Sequence, residues 1–108
     1  MAGPFLDVWV NCPDRATAEK IADALIEARL VACANFFPAV ESRYRWQGAI
    51  ETAQEIPLLL KTRATHFTEI CDRVTALHPD EVPSIVATEL THIERKYADW
   101  LGAETGKA

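Results

Sequence analysis

Val40-Glu41-Ser42-Arg43-Tyr44-Arg45-Trp46, followed by Gln47-Gly48 and then Ala49-Ile50-Glu51, is the stretch on which the fold turns. Val40, Ser42, Tyr44 and Trp46 alternate with Glu41, Arg43 and Arg45, the period of two of a strand whose faces meet unlike surroundings. Gly48 takes positive φ at little cost, so the chain reverses there and returns through Ile50, Glu51 and Glu55 to Leu58-Leu59-Leu60. This predicts a hairpin running from Val31 to Thr62. At about 3.3 Å per residue, arms of about fifteen residues span roughly 50 Å, against a radius of gyration of about 13 Å for a domain of this length. Such a hairpin either bends, at Pro38 and Pro57, or projects and pairs with another chain. A projecting tip bearing Tyr44 and Trp46 exposes aromatic surface and an open strand edge, which soluble proteins cover, so an obligate oligomer is expected. A bent, self-covered hairpin is the alternative.

Upstream of the hairpin, Phe5 to Val10 is rich in β-branched and aromatic residues and predicts a first strand, stopped by Pro13-Asp14. Asp14 is suited to cap a helix, in which Ala18, Ile21, Ala22 and Leu25 form one apolar stripe at i, i+3, i+4, i+7. Downstream, Phe67, Ile70, Cys71, Val74 and Leu77 repeat that spacing in a second helix, ended near His78 by Pro79. Ser84 to Leu90 predicts a further strand, and Ile93, Tyr97, Trp100 and Leu101 a short closing helix. The order strand, helix, hairpin, helix, strand, helix is the α+β, ferredoxin-like βαββαβ sandwich: a four-stranded antiparallel sheet, a long central hairpin and a C-terminal helix. The 108 residues are expected to form a single domain, residues 1–108, with 102–108 a loose tail.

The formal net charge is −5 and the lysines and arginines are scattered, so the basic footprint of a nucleic-acid binder is missing. There is no apolar run long enough for a membrane span and no signal-like start, and a cytoplasmic protein is expected. Cys12, Cys33 and Cys71, an odd set without CxxC, argue for reduced thiols. No nucleophile triad, phosphate loop or zinc-protease motif is present, so an enzyme is not indicated; the least favoured reading has His78 working with Asp80 or Glu81 as acid and base.

Several pieces of the chain together resemble the CutA proteins, a family associated with tolerance to divalent cations. They are Leu30-Val31-Ala32-Cys33-Ala34-Asn35 with Pro38, Ser42-Arg43-Tyr44-Arg45-Trp46-Gln47-Gly48, Glu51 and Glu55, Leu60-Lys61-Thr62, His78-Pro79 with Val82-Pro83, and Trp100-Leu101. The resemblance covers residues 8–101. It implies a ferredoxin-like subunit in a homotrimer, the hairpins of neighbouring chains pairing, and a response to divalent cations such as copper. It also brings a fold-level analogy to the trimeric PII-type signalling proteins. The chain departs from the family in carrying Asp80 where an aromatic is common and Ser84 where a glutamate is common. A cysteine proposed as a copper ligand in some relatives aligns with Val10, two residues from Cys12.

His78, followed by Asp80 and Glu81 on a proline-stiffened loop, is the leading candidate for a metal ligand, with Cys12 as a second donor and Asp80 a third. Equally, His78 is placed to cap the last carbonyls of its own helix. Cys12 as a small apolar strand-end residue is the more ordinary reading, and Cys33 and Cys71 belong to packing. His66 and His92 have no acidic or thiol neighbours at useful spacing and are assigned no role. Tyr44, Trp46, Glu51, Glu55 and Lys61 are candidates for the lining of an inter-subunit cleft, which in the signalling reading takes a small anionic metabolite or a partner protein through Lys61 and Tyr44. Against this, Tyr44 and Trp46 are expected as interface anchors, and Arg43, Arg45, Glu51 and Glu55 as cross-strand ion pairs.

Overall fold

The computed structural model describes residues 4–106. Strand β1 (Phe5–Cys12) alternates strictly, with Leu6, Val8, Val10 and Cys12 buried and the residues between them half-buried. Asp14 adopts extended geometry and its carboxylate accepts the Thr17 N–H at 2.7 Å, which opens helix α1 (Arg15–Glu27). The buried residues of α1 are Ala18, Ile21, Ala22 and Leu25, the stripe predicted from spacing. The helix closes in a Schellman arrangement: the Arg29 N–H bonds to Ile26 O and the Leu30 N–H to Leu25 O, with Arg29 at φ 60° in the place where glycine is usual.

The hairpin is both bent and projecting. Its outgoing arm is split into β2 (Cys33–Phe36) and β3 (Val40–Trp46), while its return arm β4 (Ala49–Arg63) is unbroken over 15 residues. Phe36 pairs with Leu58 and Val40 with Glu55, so residues 37–39 face residues 56–57, an extra residue that makes a bulge around Pro38. Pro57 is tolerated in β4 because the side of the strand on which its N–H is missing faces this break, where Pro57 O accepts the Phe37 N–H at 3.0 Å. At the tip, Gln47 (φ 49°) and Gly48 (φ 82°) form the two-residue turn with both φ positive that a tight hairpin requires. The molecule extends 45 × 26 × 24 Å, with a radius of gyration of 14.5 Å, above the value of about 13 Å for a compact chain of this length.

After a single 3-10 turn (Ala64–His66) come α2 (Phe67–Leu77), β5 (Ile85–Glu89) and α3 (Arg95–Glu104). Glu94, which the sequence pattern did not single out, caps α3 by accepting the Lys96 and Tyr97 N–H groups. The sheet order is β2-β4-β1-β5, antiparallel throughout, with β3 continuing the hairpin along β4. This is the ferredoxin-like plan, with one difference from expectation: the break at 37–39 makes the four-stranded sheet one of five strands. Helices α1 and α2 cover one face, where Val8, Val10, Leu58 and Leu60 meet Ile21, Leu25, Ile70 and Val74. By alternation Phe5, Asp7, Trp9, Pro57, Leu59 and Lys61 lie on the other face, which α3 covers only at one end.

The expected loose tail is not loose over its described part. Residues 102–104 belong to α3, and Thr105 is buried. Arg63 donates to Gly102 O and to Thr105 Oγ1, Arg29 donates to Ala103 O and Gly106 O, and the His66 ring donates to Thr105 O. Two arginines and the His66 ring N–H thus satisfy the free carbonyls at the negative end of the helix. Residues 107–108 of the tail lie outside the described residues.

Candidate functional site

His78 ends α2 with an extended backbone, and its side chain is wholly enclosed. Its Nδ1 accepts the Asp80 N–H at 3.0 Å, so that nitrogen carries the lone pair, and Nε2–H donates to the Asn11 carbonyl of β1 at 2.7 Å. His78 therefore caps no carbonyl of its own helix; it ties the 78–84 loop to the end of β1. Both ring nitrogens are used, and the Asp80 carboxylate stands 4.0 Å from Nδ1.

Cys12 is fully buried, and its thiol is pushed up to about 11 by burial first and then by the Asp14, Glu55 and Asp80 carboxylates. To serve as a ligand it would have to give up its proton in those surroundings, while both nitrogens of His78 are already engaged. The donor set His78, Cys12 and Asp80 consequently does not fit a resident metal ion. Among the described residues no three His, Cys, Asp or Glu side chains are grouped to hold one.

The hairpin and the 78–84 loop border an open cleft of about 680 Å³. Tyr44, Trp46 and Glu55 line it from the hairpin, and Asp80, Glu81 and Val82 from the loop. Of the five residues expected to line a cleft between subunits, Tyr44, Trp46 and Glu55 lie together beside this cleft within one chain. Glu51 lies outside it, and Lys61 belongs to the body of the sheet, where Nζ is 2.8 Å from the Asp7 carboxylate.

The expected cross-strand ion pairs do not form. Tyr44 pairs with Glu51 and Val40 with Glu55, whereas Arg43 faces Thr52 and Arg45 faces Ile50. The register puts the two arginines on one face of the hairpin and the two glutamates on the other. Arg43 instead meets Glu41 of its own strand at 3.1 Å. No local signal marks the roles of Arg29, Arg63 and His66, whose tail partners are 39 to 77 residues away in sequence.

An antiparallel ferredoxin-like sheet with a projecting central hairpin and a proline-bounded loop packed beside it defines a class of small α+β proteins. Within that class the chain belongs to the CutA1 divalent ion tolerance protein family, which matches residues 6–104. The divalent-cation tolerance protein CutA of Thermus thermophilus is 46% identical over 99 residues, covering 92% of this chain and 96% of its own length. Its solved structure superposes with a TM-score of 0.91 at 44% identity over 94% of this chain and 99% of that one. CutA1 from a psychrotrophic Shewanella gives a TM-score of 0.94 at 34% identity, with 99% of this chain and all of that one covered. A relative from Archaeoglobus fulgidus, 32% identical with a TM-score of 0.91 over 94% of this chain and 99% of that one, is described as a periplasmic divalent cation tolerance protein.

Proposed function

We propose that the chain acts as a homotrimer in the divalent-cation tolerance response of its family, without catalysis of its own. The observation that carries this reading is the apolar surface left exposed along the edges of the second face of the sheet. Trp9 and Phe37 pack there with ring centroids 5.1 Å apart and planes tilted by 53°, Val86 is 57% exposed, and Tyr97 and Trp100 lie open at the end that α3 occupies. Val40 and Ile50, on opposite faces of the projecting hairpin, are exposed as well. Val86, Trp9 and Phe37 adjoin one another, and exposed apolar surface of this kind on a small chain marks an interface. A hairpin reaching outward in one direction meets a different surface of its neighbour, a head-to-tail contact that closes as a ring, and the resemblance supplies three as the number of copies.

Divalent cations, copper among them, are the effectors in this reading, drawn by a formal charge of −5 on each chain rather than held by His78 and Cys12. A reducing cytoplasm suits the three unbonded cysteines. No helix among the described residues is long and apolar enough to cross a membrane. Sedimentation at micromolar concentration tests the assembly: a trimer is expected, and a stable folded monomer overturns the reading. Copper(II) titration tests the effector, saturable binding by the trimer being expected.

The cleft favours a second reading, in which the assembly is a signalling or scaffold module of PII-like type taking a small ligand beside the hairpin. The anionic metabolite expected of Lys61 and Tyr44 belongs to a cleft between subunits; the cleft within one chain lacks Lys61 and has Glu55, Asp80 and Glu81 in its lining.

A further inference from the structure

Three features of the cleft bear on what it can hold: its size, its charge and its walls. At about 680 Å³ it falls within the range of roughly 300–1,000 Å³ that small organic ligands occupy, and is far too large for a bare ion alone. Its charged lining is Glu55, Asp80, Glu81 and Arg43. Arg43 is neutralised locally by Glu41 at 3.1 Å, whereas none of the three carboxylates forms an ion pair with a lysine or arginine among the described residues. The carboxylates are not grouped to share a metal ion, so a point charge cannot satisfy them together. Tyr44 and Trp46, two residues apart on one strand face, supply the aromatic surface on which organic cations are held.

We propose that this cleft binds a small organic dication, with ammonium or guanidinium centres, which packs on Tyr44 and Trp46 and is neutralised by Glu55, Asp80 and Glu81. The inference rests on the small-ligand reading of the cleft and names its ligand class. His78 is then a positioning residue. By accepting the Asp80 N–H and donating to Asn11 O it fixes the loop wall before the ligand arrives, with Pro79 and Pro83 removing further freedom. A wall ordered in advance lowers the entropy lost on binding.

Calorimetric titration of the purified chain with agmatine, which carries a guanidinium and an ammonium, tests this, with adipate as a dianion of similar length and magnesium chloride as a point-charge control. Agmatine is expected to saturate and to change a fluorescence signal that is absent in Trp46→Phe, while adipate gives none. The double variant Glu55→Gln/Asp80→Asn should bind at least about tenfold more weakly, and Asp23→Asn, on the far face of α1, should bind as the parent does. Agmatine that fails to saturate below about 10 mM overturns the proposal, as does equal binding in the double variant. Equal binding of adipate, or of magnesium at the same residues, also overturns it. Sedimentation of the same samples reports the assembly separately, so agmatine binding by a monomer keeps the site and dismisses the trimer, while a trimer blind to agmatine does the reverse.

Discussion

The Nε2–H of His78 donates to the carbonyl oxygen of Asn11 across 2.7 Å, joining the end of α2 to the end of β1, which lies 67 residues earlier in the chain. Replacing His78 with alanine leaves that carbonyl without a partner and opens a cavity at an enclosed position, so a loss of about 2 kcal/mol is expected from the urea midpoint. Copper(II) affinity should be unchanged in the same variant, because both ring nitrogens are already engaged. A large fall in copper affinity with stability intact would mean that the imidazole leaves these bonds to bind metal.

The Asp14 cap gives stability an acid dependence. Hydrogen bonds from the Thr17 backbone and side chain hold its carboxyl below the ordinary 3.8. The unfolded chain therefore takes up the proton first. The cap's contribution is complete above the ordinary value and is lost as pH falls through the lower, folded one. Asp14→Asn keeps an acceptor at the helix start but no longer titrates, so its thermal midpoint should match the parent near neutrality and fall less steeply below pH 4 or so. Equal acid slopes for the two proteins would remove Asp14 as a source of that dependence.

Substitutions at the hairpin tip isolate backbone conformation from packing. A Cβ added at Gly48 meets nothing within 4 Å, yet the residue holds φ 82°. Gly48→Ala should therefore cost about 1 kcal/mol through conformation alone. At Gln47, φ 49°, asparagine tolerates the left-handed region better, so Gln47→Asn should stabilise by a few tenths of a kcal/mol. Chemical denaturation of the two variants, shifting in opposite directions, checks both. A neutral Gly48→Ala would mean that the turn relaxes.

Local periodicity carried the parts of this fold that depend on neighbours in sequence. The α1 stripe, the Asp14 cap and the turn at Gln47-Gly48 all follow from spacing within a few residues, and all stand as expected. Features set by long-range register did not show. Whether Arg43 meets Glu51 depends on which residue of β4 lies opposite Tyr44, and a shift of one position exchanges the faces. The partners of His78, Lys61 and the C-terminal turn come from strands and helices far apart in sequence, and no spacing rule links them. Of the cleft within one chain, Tyr44, Trp46 and Glu55 follow from strand alternation, but Asp80 and Glu81 join them only once the 78–84 loop is folded back beside the hairpin.

Lys61 and Asp7 form a half-buried ion pair, with side-chain exposures of 21% and 19% and a separation of 2.8 Å. Exposed pairs contribute at most about 1 kcal/mol, and this one is shielded from solvent on both sides. A double-mutant cycle with Lys61→Met and Asp7→Asn should give a coupling of about 1 kcal/mol in denaturation midpoints, reduced little by salt. A coupling near zero would show that solvent reaches the pair.

Val86 separates the assembly from the fold. It lies on the edge strand β5, beside Trp9 of β1 on the face that α1 and α2 leave open, and more than half of it is exposed. In an isolated subunit a lysine there keeps its charge in water and changes stability by no more than about 0.5 kcal/mol. In the proposed trimer the same ammonium lies against a neighbouring subunit, where burying an unpaired charge costs several kcal/mol. Val86→Lys should therefore sediment as a smaller species, and its thermal midpoint should lose the concentration dependence expected of the parent. Circular dichroism should stay that of the folded chain. Since a surface lysine cannot by itself unfold the subunit, a Val86→Lys protein that still sediments as the parent does would place the interface elsewhere and leave Trp9, Phe37 and Val86 facing water.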